Sequence, residues 1–95
     1  MNQPSPSEAS RTLRGYLGHI EYWDPDGGDA ALMLNAREWL EAHRSQLTAA
    51  EQADLAQADE RLLALAGAAV GDAPEVAFLR MTAEAVSASR QRLAA

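Results

Sequence analysis

The chain has 95 residues, which is enough for one small domain and too few for two. Its formal net charge of −6 disfavours binding to nucleic acids, and the absence of cysteine excludes disulfides, thiolate zinc sites and cysteine nucleophiles. Alanine contributes 21 residues and leucine 12, whereas valine and isoleucine together contribute four, so the composition favours helices and disfavours a sheet.

The N-terminal segment is polar and contains two prolines, without the charged start and apolar run of a signal peptide. The sequence also lacks the run of about 18 apolar residues that a membrane-spanning helix needs. We therefore expect residues 1–4 to be disordered and residues 5–95 to form a single helical domain. We also expect a cytoplasmic protein that has no membrane partner.

The first helix is predicted from about residue 6 to residue 21. Ser5 is a suitable cap, Pro6 takes the first helical position, where its missing N–H has no cost, and Glu8 completes a capping box. Apolar side chains then recur at helical spacing. The face that we expect to be buried comprises Ala9, Leu13, Tyr16, Leu17 and Ile20.

A turn is predicted at residues 24–28, where an Asp-Pro pair is followed by two glycines. Asp29 is expected to cap a second helix that runs to about residue 45. Its predicted apolar face comprises Leu32, Ala36, Trp39, Leu40, His43 and Leu47. Arg37, Glu41 and Arg44 are predicted on the opposite side, at spacings that allow ion pairs.

The third helix begins at a second capping box, formed by Thr48 and Glu51, and is predicted to end between residues 66 and 70. Gly67 and Gly71 are the expected terminators. The apolar face predicted for this helix comprises Leu55, Ala58, Leu62, Leu65 and Ala69. The neighbouring carboxylates Asp59 and Glu60 are interpreted as solvated side chains.

The fourth helix is predicted over residues 73–92 and has an unusual pattern. A narrow polar stripe separates two apolar flanks; the stripe comprises Arg80, Glu84, Ser87 and Gln91. One flank comprises Val76, Leu79, Ala83, Val86 and Leu93, and the other comprises Phe78, Met81, Ala85 and Ala88. A helix that is apolar on two sides is either central in its bundle or shared with a second chain. We therefore treat the second flank as a candidate interface.

Two aromatic residues in the first loop form another candidate interface. Tyr22 and Trp23 either belong to the core, which we favour because small domains need their largest side chains inside, or act as exposed anchors for a partner.

The two histidines, His19 and His43, do not have the spacing of a helical metal site. We predict no metal or other cofactor, and a hydrogen-bonded, partly buried structural role for His43. The sequence also lacks a nucleophile elbow and a phosphate-binding loop, so no catalytic residues are assigned.

These patterns predict an all-α domain, a small four-helix bundle with short, antiparallel connections. The expected core comprises Leu13, Leu17, Ile20, Leu32, Ala36, Trp39, Leu40, Leu55, Leu62, Leu65, Val76, Leu79 and Val86.

Our first functional hypothesis is a non-enzymatic protein-interaction module that self-associates as a homodimer or binds another protein. The first alternative is an acidic inhibitor, antitoxin or immunity-type protein that occupies a basic cleft on its partner. The second alternative is a metal-dependent enzyme that uses His19 or His43.

Overall fold

The computed structural model describes residues 7–94, and within them the chain folds into four α-helices, which confirms the all-α class. The helices are α1 (Glu8–Glu21), α2 (Ala30–Ala42), α3 (Ala49–Ala68) and α4 (Pro74–Ala94), and a short 3₁₀ turn over Arg44–Gln46 follows α2. Residues 1–4, for which we predict disorder, lie outside the described residues. In the described part of the chain, each helix is too short or too polar to cross a membrane.

The four helices form two antiparallel hairpins, α1 with α2 and α3 with α4, which stack so that α1 lies beside α3 and α2 beside α4. The stacked helices run in the same direction. Ser10 at the start of α1 donates a hydrogen bond to Glu51 at the start of α3, and Arg44, just after α2, donates one to Ser89 towards the end of α4. Helices α2 and α3 therefore face each other across a diagonal of the bundle, as do α1 and α4.

The first helix begins about two residues later than predicted. Ser7 is its N-cap, in an extended conformation, and the Ser7 side chain accepts a hydrogen bond from the backbone N–H of Ser10. The prediction that Ser5 caps this helix was wrong, because Ser7 stands next to the first helical turn and takes that role. Ser5 and Pro6 themselves lie outside the described residues.

The capping box of α3 is confirmed: Thr48 accepts a hydrogen bond from the backbone N–H of Glu51, whose carboxylate accepts one from the backbone N–H of Thr48. Asp29 occupies the N-cap of α2, but its side chain makes no capping hydrogen bond. Helix α2 ends at Ala42, short of the predicted residue 45, because the chain continues from Arg44 as a 3₁₀ turn.

Gly71 marks the connection between α3 and α4. Its φ of 97° is a left-handed conformation that favours glycine, and it turns the chain before Pro74 starts α4. Gly67 lies inside α3, which continues to Ala68, so the prediction that Gly67 ends the helix was wrong.

The core lies between the two hairpins and agrees with most of the prediction. The buried predicted residues are Leu13, Ile20, Leu40, Leu55, Leu62, Val76, Leu79 and Val86, and the half-buried ones are Leu17, Ala36, Trp39 and Leu65. Tyr16, Met33 and Leu47 are also buried. Leu32 is 56% exposed, so its assignment to the core was wrong.

The error at Leu32 reflects a rotation of the buried face of α2. This face comprises Ala30, Met33, Leu34, Arg37 and Leu40. The residues of this face also recur at helical spacing, but the charged Arg37 lies at its centre. Because the prediction assigned the charged Arg37 to solvent, it rotated the apolar face away from Arg37, although Leu40 belongs to both faces.

Helix α4 has the predicted polar stripe, since Arg80, Glu84, Ser87 and Gln91 are all exposed. Its buried face comprises Val76, Leu79, Thr82, Val86 and Ser89. Thr82 satisfies its hydroxyl by donating a hydrogen bond of 2.8 Å to the carbonyl of Phe78. Leu93, predicted on the apolar flank, is 63% exposed.

Candidate functional site

The middle of the bundle contains a buried polar cluster. Asp59 accepts two hydrogen bonds from Arg37, from Nε and Nη2, both of 2.9 Å, and a third of 2.8 Å from the hydroxyl of Tyr16. All three side chains are buried. The interpretation of Asp59 as a solvated side chain was therefore wrong: its helix position turns it inward, where its two oxygens have donors on two other helices.

The pKa shifts of Tyr16 and Arg37 follow from their burial and their bonds within this cluster. Burial raises the pKa of Tyr16, and the negative charge of Asp59 raises it further, so the phenol remains a hydrogen-bond donor. Burial by itself lowers the pKa of Arg37, but the hydrogen bonds and charge of Asp59 outweigh it and the net pKa is raised. Arg37 and Asp59 thus form an ion pair whose polar atoms are used within the fold.

Glu41 extends this cluster towards the surface. It accepts hydrogen bonds of 3.1 Å from both Arg37 and Arg44, and Arg92 lies 3.5 Å from its other oxygen. Burial by itself raises the pKa of Glu41, but hydrogen bonds from Ser89, Arg44 and Arg37 outweigh it and lower the pKa to about 2. The predicted ion pairing of Arg37, Glu41 and Arg44 is confirmed, although Arg37 lies in the core and not on the exposed side.

The predicted interface residues of α4 are only partly exposed. Phe78 and Ala85 are half-buried, because α4 packs against α2 as well as α3, whereas Met81 is 49% exposed and Ala88 is exposed. Ala85 and Ala88 line a depression of about 250 Å³ beside Arg92. Packing within one chain thus accounts for part of the second apolar flank.

The other two predicted interface residues differ from each other. Tyr22 is 79% exposed, so its expected place in the core was wrong, because it caps the end of α1 with its side chain in solvent. Trp23 is half-buried and packs against the core. Together with His19 they line a cavity of only about 20 Å³ at the first loop, which is too small for a ligand.

The histidines are not brought into a metal site. His43 Nδ1 lies 2.8 Å from the carbonyl oxygen of Trp39, and its ring stacks on the Trp39 ring at 3.8 Å, which confirms the predicted structural role. His19 lies on α1, at the cavity beside Trp23. Over residues 7–94, the structure contains no group of three or more histidine, aspartate or glutamate side chains placed to hold a metal ion.

A groove between α1 and α3 is open at the surface, and the sequence patterns did not predict it. Three adjoining depressions of about 430, 300 and 410 Å³ follow the two helices from their first turns to their last. We call them together the α1/α3 groove. The residues that line its floor are Leu13, Leu17, Ile20, Ala58 and Leu65, and those nearer its rim are Ser10, Arg14, Glu21, Glu51, Asp54, Gln57, Arg61, Ala64 and Ala68.

The groove lies where the outer faces of α1 and α3 meet. Its middle section is lined by Leu17 and Ala58, and its far section by Ala64, Leu65 and Ala68. The far section is the most apolar, since alanine and leucine dominate it. A sequence signal was available: Arg14 and Glu21 on α1, and Asp54 and Arg61 on α3, are each seven residues apart and therefore mark one face of each helix.

Comparisons of the chain with protein families, with curated proteins and with solved structures found no match.

Proposed function

We propose that the protein is a non-enzymatic interaction module that self-associates through the α1/α3 groove. The observation that carries the proposal is the continuity of this groove along both helices, with an apolar floor and charged side chains at its rim. A continuous apolar strip with a charged rim is typical of a protein-interaction surface.

The chemistry of the side chains supports binding more than catalysis. The strongly perturbed groups, Tyr16, Arg37 and Glu41, bond to one another or to neighbouring helices inside the fold. A catalytic group would need to reach a substrate in a cavity. Their pKa shifts arise from burial, hydrogen bonds and neighbouring charges within the bundle.

The size of the surface is typical of a weak or transient interface. The 14 residues of α1 and 20 of α3 give a face about 20–30 Å long and about 20 Å wide. This is roughly 400–600 Å² for each partner, below the roughly 800 Å² of standard interfaces. We therefore expect a dimer that dissociates in the micromolar range, and not a permanent one.

The charges along the groove are of both signs, with Arg14 and Arg61 among Glu21, Glu51 and Asp54. A protein that binds a basic cleft is expected to present a uniformly acidic face, because opposite potentials attract across the interface. This arrangement therefore supports self-association over the alternative of an acidic inhibitor.

Sedimentation equilibrium over a concentration series from low to high micromolar tests the proposal. The expected result is a reversible monomer–dimer equilibrium. Ala64→Glu, which introduces a charge in the far section of the groove, should shift this equilibrium to the monomer. Ala56→Glu is the matched control, because Ala56 is an exposed alanine of the same helix outside the groove.

Either of two results contradicts the proposal. The first is a wild-type protein that is monomeric at several hundred micromolar. The second is a dimer that Ala64→Glu and Ala56→Glu weaken equally, since the interface would then lie elsewhere. Circular dichroism of both variants verifies that the helices are retained.

A further inference from the structure

The charges at the rim of the α1/α3 groove form a checkerboard. Arg14 and Asp54 line the section at the start of the two helices, and Glu21 and Arg61 line the sections further along. In these four residues, each helix carries one positive and one negative charge in opposite order, and Glu51 adds a second negative charge at the start of α3. All four side chains are exposed, and none forms an ion pair with another charged residue within residues 7–94.

Such a checkerboard is complementary to itself only in certain orientations. If two copies met face to face with their helices crossed at right angles, Arg14 of one copy would face Arg14 of the other. If the helices are aligned, each of these four charges faces an opposite charge of the second copy. The pattern therefore selects an aligned pairing and disfavours a crossed one.

We propose that the partner is a second copy of this chain whose helices run parallel to those of the first, with the two-fold axis along the groove. This inference rests on the self-association proposed above. In this arrangement α1 of one copy lies over α3 of the other at the same level. Arg14 then meets the partner's Asp54, and Glu21 meets the partner's Arg61.

An antiparallel pairing would also match charges, with Arg14 opposite the partner's Glu21, but it would not match the apolar surfaces. The far section of the groove, with Ala64, Leu65 and Ala68, meets its own copy only when the helices are parallel. In the antiparallel pairing it would lie against the section that contains Ser10 and Glu51. Parallel helix dipoles oppose the proposed pairing, but their effect on exposed helices is small and screened by salt.

Charge reversals distinguish these arrangements. Arg14→Glu should raise the dissociation constant of the dimer roughly tenfold or more, since two attractive pairs become repulsive. Arg14→Glu combined with Asp54→Arg should restore the affinity, because the exchanged charges again face each other in the parallel dimer. Arg14→Glu combined with Glu21→Arg should not restore it. Arg80→Glu, an equal change of charge on the exposed stripe of α4, is the control and should have no comparable effect.

The outcomes separate this inference from the proposed function. Restoration by Asp54→Arg supports the parallel dimer. If Glu21→Arg restores the affinity instead, or if Arg14→Glu has no more effect than Arg80→Glu, the wild type still self-associates but the proposed arrangement is wrong. A wild type that remains monomeric at several hundred micromolar overturns both proposals. Sedimentation equilibrium gives the dissociation constants, and urea unfolding verifies that each variant is folded.

Discussion

Arg37 of α2 and Asp59 of α3 are joined by two parallel hydrogen bonds of 2.9 Å across the diagonal of the bundle. The pair is 1% and 6% exposed at its side chains, so it is removed from water almost completely. Removing two charges from water costs several kcal/mol, and only good geometry with further hydrogen bonds offsets that cost. Tyr16 supplies one such bond to Asp59, and Glu41 accepts one from Arg37.

Asp59→Asn should destabilise the protein by about 3–5 kcal/mol, because it leaves the buried charge of Arg37 without its counterion. The measurement is the free energy of unfolding in urea. The adjacent Glu60→Gln is the control: Glu60 pairs with Arg90 at the exposed surface, so the expected loss is about 0–1 kcal/mol. Similar losses for the two variants would contradict a special role of the buried pair.

Replacing the whole buried polar cluster with apolar side chains should reduce the free energy of unfolding much less than removing one of its members. We expect the triple variant Tyr16→Phe, Arg37→Met and Asp59→Leu to lie within about 2 kcal/mol of the wild type, because apolar side chains of similar volume replace buried ion pairs at little cost. Glu41 keeps Arg44 as a partner in this variant. Urea unfolding of each single variant and of the triple variant tests this expectation, and additive losses would refute it.

The stability of the protein should fall in acid because of Glu41. Its pKa is lowered from 4.5 to about 2 in the folded chain, so the unfolded chain takes up a proton at a higher pH than the folded chain does. The stabilisation is therefore present above about pH 5 and is lost as the pH falls towards 2.

Glu41→Gln tests this pH dependence. The variant should be less stable than the wild type at pH 7, and the difference should shrink as the pH falls from about 5 to 2, because the wild-type carboxylate becomes protonated over that range. The free energy of unfolding in urea, measured at several pH values, gives both curves. If the two stability curves stay parallel between pH 5 and 2, the lowered pKa of Glu41 is contradicted.

The helix-forming parts of the fold could be predicted from local sequence. Capping signals, such as the pair Thr48 and Glu51, depend only on neighbouring residues, and so does the helix-forming tendency of alanine and leucine. Together they predicted the start of the third helix correctly and its end within the expected range. The position of Arg37 could not be predicted in this way, because its burial depends on Asp59, 22 residues further along the chain. Periodicity alone could not decide between the face centred on Arg37 and the face that begins at Leu32.

The groove was missed for a related reason. Leu17 and Ala58 were both assigned to apolar faces, and each faces its neighbour helix, but the sequence does not say that α1 and α3 stack side by side. Short connections predicted that consecutive helices pair, which holds for α1 with α2 and for α3 with α4, whereas α2 and α3 lie across a diagonal of the bundle. Which helix of the first hairpin stacks on which helix of the second depends on contacts between residues about 40 positions apart, such as Ser10 and Glu51.

Two glycine substitutions should have opposite effects. Gly15 lies inside α1, and a Cβ atom there would meet nothing within 4 Å, so Gly15→Ala should stabilise the protein by about 0.5–1 kcal/mol. Gly28 also has open space, but its φ of 77° is left-handed, so Gly28→Ala should destabilise by about 1–2 kcal/mol. Thermal unfolding of both variants provides the test, and a stabilising Gly28→Ala would contradict the conformational explanation.

The stacking of the two hairpins has a consequence for the order of folding. Side-chain bonds from Ser10 to Glu51, Tyr16 to Asp59 and Arg44 to Ser89 all join the first hairpin to the second. Contacts within a hairpin join residues that are near each other in the chain, so they form rapidly. The bonds between hairpins form only when the two hairpins dock. We therefore expect Asp59→Asn to accelerate unfolding while it leaves the rate of folding nearly unchanged, as stopped-flow kinetics can measure. The polar centre of the bundle would then act as a latch, which sets how long the native state persists and has little influence on how quickly it is reached.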